Sequence, residues 1–246
     1  MFKTTLRSVL AGLLLATAVA GCGTSPAAPS PCSCPEPQPM PIEPGPGGPV
    51  GQPPAGGQDQ QARELVGRSQ AAFMALKGYE LVMKYFQKQG SKTASGTYEI
   101  RGKNPRGMRI YIKDGNSAGV TVSWQGGSSA RVKPAGLLGA ITVNLSLTDS
   151  KLKGVRGYTL DQTDLPSMYG YMMDPANQMT FLGNGPNGVA VAISGPGLLQ
   201  GCQRMITSFD PNTLMPRSVE FSDGREVVFR MTINSMKPKS NVSLEI

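Results

Sequence analysis

The sequence predicts an α+β domain, mostly antiparallel β, in which one helix or helix pair precedes about eight to eleven meandering strands. Three observations carry this. The segment Gln61 to Gln89 repeats apolar residues at spacings near three and four. From Gly96 onward the period drops to two. Turn signals separate the alternating runs at Asp114-Gly115, Gly126-Gly127, Gly185-Pro186 and Asp223-Gly224. A large sheet with one apolar face must cover that face. It can curl on itself, with the helix plugging the opening, and this leaves an apolar concavity.

The chain opens on a different theme. Met1 to Arg7 carries Lys3 and Arg7 and no acid, and Val9 to Ala20 is apolar. A positive start and a short apolar run form an export signal, because a stable membrane-spanning helix needs ~20 apolar residues. Val19-Ala20-Gly21-Cys22 resembles the lipobox of bacterial lipoproteins. The resemblance implies a signal peptide over 1–21, cleavage before Cys22 and attachment of diacylglycerol to its thiol. The competing reading is an ordinary secretory signal with a chance cysteine. Each acyl methylene buried in lipid contributes ~0.8 kcal/mol, so the thiol rather than the apolar run would hold the mature chain. Gly23 follows, and in a diderm bacterium the lack of Asp there points to the outer membrane.

Residues 22–60 hold most of the prolines, with no Lys or Arg and no periodic apolar pattern. Proline favours extended solvated backbone and glycine adds freedom, so this stretch reads as a disordered tether. At ~3 Å per residue it would reach almost ~100 Å. Cys32 and Cys34 make half a metal site at best, since no histidine or further cysteine lies near. Once Cys22 is acylated, an odd number of thiols remains.

The folded part, 61–246, begins with the helix expected over Gln61–Gln89, where Leu65, Val66, Phe73, Leu76, Val82, Met83 and Phe86 recur. Gly67 and Gly78 are places where it breaks into two pieces, and Gly90 is a natural stop. Gly107–Lys113 then places Met108, Ile110 and Ile112 on one face, and Gly119–Trp124 does so with Val120, Val122 and Trp124. Ile141–Leu147, Val189–Ser194, Val219–Asp223 and Val227–Ile233 alternate in the same way, the pattern of antiparallel strands with one face in water. Leu165–Met173 reads as a short helix or covering loop.

Composition narrows the chemistry. The net charge is +8 and there is no histidine. That removes the commonest general base, the commonest zinc ligand and every Ser-His or Cys-His pair. No phosphate loop, metal spacing or catalytic triad is visible, so no catalytic residue, cofactor or metal is expected. A hydrolase or transferase using carboxylates is the weakest reading. Cys202, with no histidine to activate it, reads as a buried structural thiol. Asp161 and Asp164, beside Pro166, read as turn formers or helix caps. The basic excess lies in residues 61–156, with sixteen Lys and Arg against five acids. It favours anionic lipid head groups or acidic envelope polymers, the plainer reading being a solvated face. No nucleic-acid partner is expected for an exported, acylated chain.

A family enters here. The helix Ala62–Gln89, then Gly96-Thr97-Tyr98-Glu99-Ile100 and Asn104-Pro105-Arg106-Gly107-Met108-Arg109-Ile110-Tyr111, then Phe209-Asp210-Pro211-Asn212-Thr213-Leu214-Met215-Pro216, resemble the LolA/LolB-type lipoprotein carriers. The same fold is expected of LppX/LprG-like lipoproteins and RseB-type stress sensors. The resemblance covers roughly 61–246; the middle, Val132–Pro166, departs from it. It implies an unclosed curved β half-barrel whose apolar concave face is covered by the N-terminal helix and short helices. It also implies that the protein is not an enzyme and holds lipid or lipoprotein acyl chains. An anchored chain fits a receptor, holder or sensor better than a shuttle. Methionine suits an acyl lining, being unbranched and polarizable. The expected cavity residues are Phe73, Leu76, Met83, Ile110, Val122, Trp124, Val143, Met172, Phe221, Phe229 and Met231. The alternative is a structural or sensory surface lipoprotein whose concavity is filled by its own side chains and whose outer face binds a protein or acidic polymer. Either way the expected place is the bacterial cell envelope, the outer membrane or cell surface ahead of the inner membrane.

Overall fold

A computed structural model describes residues 55–136 and 141–246. The signal peptide, Cys22, Cys32, Cys34 and nearly all of the tether lie outside these described residues. The elements run α1 (Ala55–Met74), β1 (Gly78–Gln89), β2 (Lys92–Lys103), β3 (Met108–Ile112), β4 (Thr121–Trp124), β5 (Ser129–Lys133) and β6 (Val143–Ser146). Then come α2 (Leu160–Thr163), α3 (Leu165–Met173), β7 (Gln178–Gly185), β8 (Gly188–Ser194), β9 (Arg204–Phe209), β10 (Pro216–Asp223) and β11 (Glu226–Lys239).

The strands form one antiparallel sheet ordered β6-β5-β4-β3-β2-β1-β11-β10-β9-β8-β7. The chain starts at the centre with β1 and steps outward to the edge strand β6. It crosses through α2 and α3 to the opposite edge, β7, and steps back to β11 beside β1. The two edges do not pair, so the sheet is an unclosed half-barrel with helices on its concave face. This is the α+β architecture expected. The four turn signals fall where they should, between β3 and β4, β4 and β5, β7 and β8, and β10 and β11.

The long helix is corrected. It begins at Ala55 rather than Gln61 and stops at Met74, and Gly78–Gln89 is the central strand β1. Residues four apart share a face in a strand as well as on a helix, so Val82 and Phe86 fit both patterns. The inward set is Tyr79, Leu81, Met83, Tyr85 and Gln87, which is period two. Aromatic residues favour the pleated surface, and β1 gains a full ladder on each side, with β2 and with β11. The helix end is capped from a distance. Asn104 Nδ2 donates to the carbonyls of Phe73 at 2.7 Å and Leu76 at 2.8 Å, satisfying groups that a helix terminus leaves open.

Sequence patterning also left parts of the sheet unassigned: β5, β7 and the first half of β2. Gly, Ser, Thr and Asn interrupt the alternation in β7 and β2, and β5 is only five residues long. Ile141–Leu147, by contrast, supplies only the four-residue β6. Among the described residues, four register shifts adjust the pairings, two of them on β11. Of these two, one skips Asn234 opposite Val82 and Met83, and the other skips Val228 opposite Phe221 and Ser222. The second lets consecutive residues Val228 and Phe229 both be buried.

The C-terminal tail runs back over the outer face of β1, β3 and β4. Ser123 Oγ donates to the Leu244 carbonyl. A Cβ at Gly78 would lie 2.6 Å from Val242 Cγ2. Glycine is required there because the tail approaches the backbone too closely for a side chain. This tail covers Ser123 on the outer face of β4, while Val122 and Trp124 on the same strand are buried in the core.

Candidate functional site

The concave face is built from one stripe of α1, one face of α3 and the inward residues of the sheet. On α1 the inward stripe is Ala62, Val66, Ser69 and Phe73, all fully buried. Those spacings keep one helix face on the sheet. Ser69 Oγ lies 2.7 Å from Tyr169 Oη and 2.7 Å from the Leu214 carbonyl, to which it donates. One hydroxyl thus ties the helix both to α3 and to the β9–β10 turn.

Leu165–Met173 is a helix, α3, and it buries Leu165, Met168, Tyr169 and Met172 at helical spacing. Asp164 is its N-cap and accepts from the Ser167 amide at 2.9 Å. The capping role expected of Asp164 is therefore met. Burial raises its carboxyl pKa against that hydrogen bond. At the far end, Asn177 Nδ2 donates to the Tyr171 carbonyl at 2.7 Å, and its Oδ1 accepts from the Gly197 amide at 2.9 Å. The Asn177 carbonyl accepts from Arg63 at 2.9 Å. The lid is pinned at both ends and apolar between them.

Aromatic rings bind lid to sheet. Phe73 packs 5.3 Å from Tyr79 and 5.4 Å from Tyr169. Tyr171 meets Phe221 edge-on at 6.0 Å, and Phe221 meets Phe229 edge-on at 5.6 Å. Burial pushes the Tyr169 phenol up to about 12, so it is neutral at any ordinary pH. None of these contacts is directional chemistry aimed at a reacting group.

Nine of the eleven expected cavity residues belong to one buried apolar cluster: Phe73, Met83, Ile110, Val122, Trp124, Met172, Phe221, Phe229 and Met231. Leu76 is partly buried and packs against it. Val143 stands apart on the edge strand β6, half-buried. The cluster is not evenly sealed. Val191, Ile193, Met205, Phe209, Val219, Phe221 and Phe229 are 0% exposed, whereas Ile100, Ile110 and Val122 are each 7% exposed. Further out, Ile112, Val120 and Val132 are only partly buried, and Ile141, just before β6, is 52% exposed. The concave face is driest under β8–β11; past the buried Trp124 and Ala130 it opens to solvent toward the edge strand β6.

A polar knot closes the opposite end. Arg156 donates to the Lys88 carbonyl at 3.2 Å, the Gly201 carbonyl at 3.1 Å and Tyr158 Oη at 2.8 Å. Tyr158 donates to the Gln200 carbonyl at 2.8 Å. Cys202, read from sequence as buried, is half-buried and lies 3.5 Å from Tyr158 Oη. Burial raises its thiol pKa, which leaves it a poor nucleophile. Sequence spacing gave no sign of this knot, because residues 88, 156 and 201 meet only through the sheet crossover. Among the described residues, no group of three or more His, Cys, Asp or Glu could hold a metal ion. Among them, too, no helix is long and apolar enough to cross a membrane.

Comparison with known proteins gives no matching family model and no matching curated protein. Solved structures do match. The chain is similar to the lipoprotein LppX of Mycobacterium tuberculosis, at 14% identity over 76% of this chain and 100% of that one, with a TM-score of 0.48. It is similar to a DUF1329 family protein from Desulfovibrio piger, at 10% identity over 76% and 95% of the two chains, with a TM-score of 0.43. It is also similar to a LolA superfamily protein from Nitrosomonas europaea, at 11% identity over 74% and 94%, with a TM-score of 0.35.

Proposed function

We propose that this is a membrane-anchored envelope lipoprotein that binds lipid or lipoprotein acyl chains against its concave face, without catalysis. Cys22 carries the anchor, residues 22–60 are the tether, and 61–246 form the binding domain. The outer membrane or cell surface is its place. The observation that carries this reading is the graded sealing of the concave face. Most of the β8–β11 side is fully buried, while the β3–β6 side presents Ile112, Val120, Val132 and Val143 half-covered, Val143 on the unpaired edge strand. An acyl chain laid along that side would finish the burial the protein leaves incomplete, at roughly 25 cal/mol per Å² of apolar surface. Methionines Met83, Met108 and Met172 belong to the same buried cluster, and their unbranched side chains can repack around a chain of variable shape.

The test is native mass spectrometry with organic extraction of the full-length protein from a bacterial envelope. One lipid per chain is expected, lost in Val132→Asp or Val143→Asp while circular dichroism is unchanged. These positions suit a charge because they already touch solvent. An empty protein that also refuses added phospholipid and triacylated peptide would sink the acyl reading and leave the structural or sensory one.

A further inference from the structure

The outer face of β1, β2, β3 and β11 holds a groove of about 380 Å³, remote from the concave face and independent of the acyl reading. Its polar lining includes Glu80, Glu99, Arg101, Arg109, Tyr111 and Lys237. Strand alternation sets this lining, since Leu81, Ile100 and Ile110 between them turn to the core. Register places Arg101 directly opposite Glu80 on one side and Arg109 on the other, and Glu80 opposite Lys237. The carboxylates are already engaged. Glu80 holds Arg101 at 3.0 Å and Lys239 at 3.1 Å, and Glu99 holds Lys113 at 3.0 Å. Among the described residues, Arg109 and Lys237 have no ion-pair partner.

Two arginines directly across neighbouring strands sit ~5 Å apart at Cβ and repel, a local cost to the fold. An anion between them converts that repulsion into charge-assisted, forked hydrogen bonds. Tyr111, 41% exposed, stands beside Arg109 and offers a flat apolar face. From Arg109 to Lys237 is three strand spacings, ~14 Å, too far for one carboxylate or phosphate to bridge. That distance suits successive charges along one chain. A planar membrane also meets a convex sheet poorly, whereas a polymer can lie in a groove.

We propose that this groove binds an acidic polysaccharide of the envelope, with one carboxylate between Arg101 and Arg109, a later one at Lys237, and a sugar ring on Tyr111. The experiment uses the full-length chain in non-ionic micelles and fluorescence anisotropy with labelled polygalacturonate. Neutral dextran, polyglutamate and phosphatidylglycerol-doped micelles are the comparison arms. Saturable, salt-sensitive binding to polygalacturonate is expected, about tenfold weaker in Arg109→Gln and in Lys237→Gln. Arg225→Gln, on the β10–β11 turn, should leave it unchanged. Because Arg109→Gln removes a like-charge pair, its melting temperature should hold or rise, which separates lost binding from lost folding. No binding to polygalacturonate, equal binding by the Arg109 and Lys237 variants, or tighter binding to polyglutamate or phosphatidylglycerol would each overturn the proposal.

Discussion

The two wings of the sheet share a topology but not a role. On the β7–β11 side the strands run six to fourteen residues and most of their inward side chains are fully buried, with Phe181, Val189 and Ile233 partly so. On the β3–β6 side the strands run four or five residues; Trp124 and Ala130 are buried, but Ile112, Val132 and Val143 are only partly so. Helix α1 packs on β7 and on α3, so cover is concentrated over the long wing. An apolar strand under full cover contributes stability. An apolar strand under partial cover gives up some of that stability and keeps a surface that another apolar molecule can use. On the proposed reading the long wing is the support and the short wing the place where an acyl chain binds.

The largest test of this division is a matched pair of truncations. Phe229→Ala removes a ring packed against Tyr85, Tyr158 and Phe221, and should cost ~3–5 kcal/mol in denaturant unfolding. Val132→Ala on the short wing should cost under ~1 kcal/mol, since its site already relaxes into water. Equal losses at the two sites would erase the distinction between the wings.

A smaller effect tests how the lid is held. Ser69→Ala leaves Tyr169 Oη and the Leu214 carbonyl without their partner in a dry site, and should cost ~1–3 kcal/mol. Adding Tyr169→Phe removes one of the two orphaned groups, so the double variant should lose less than the sum. Additive losses in a double-mutant cycle would mean the two hydroxyls do not act together. Smaller still is the loss of one methyl: Ile193→Val on the long wing should cost ~1 kcal/mol and Ile110→Val on the short wing about half that.

Much of the architecture was legible because alternation and turn dipeptides are local. Val189–Ser194, Val219–Asp223 and the Asp223-Gly224 turn needed only their own residues. The buried apolar cluster was legible for the same reason: most residues expected to line a cavity are inward members of alternating runs. What failed was Gly78–Gln89, where residues four apart satisfy helix and strand alike. Only the ladders with β2 and β11, up to 161 residues away in sequence, decide between them. The outer groove was hidden for a related reason. The basic excess of residues 61–156 was plain in composition, but the Arg101–Arg109 juxtaposition exists only in the register. The tail over Ser123, the Asn104 cap and the Arg156 knot are likewise contacts between distant segments that no periodicity announces.

The finest test is electrostatic and sets one carboxylate of the lid against one of the long wing. Asp164, over the lid, faces Arg106, Asp161, Tyr79 and Tyr171, and its pKa is raised, mainly by burial. A raised folded-state value favours the protonated fold. Its contribution is fully present below the unfolded value near ~4 and is lost as pH rises through the folded value. Asp210, in the β9–β10 turn, has the opposite sign. The Thr213 amide, Arg217 and the Asn212 amide hold its pKa down to about 2. Its contribution is present above ~4 and is lost as pH falls from there through the folded value of about 2. Melting temperatures taken from acid to neutral pH should therefore show Asp210→Asn flattening the acid limb below ~4, and Asp164→Asn flattening the decline above it. If Asp164→Asn changed only the acid limb, the lid carboxylate would be stabilised as an anion by its cap. The cover over the concave face would then be electrostatically tighter than its burial implies.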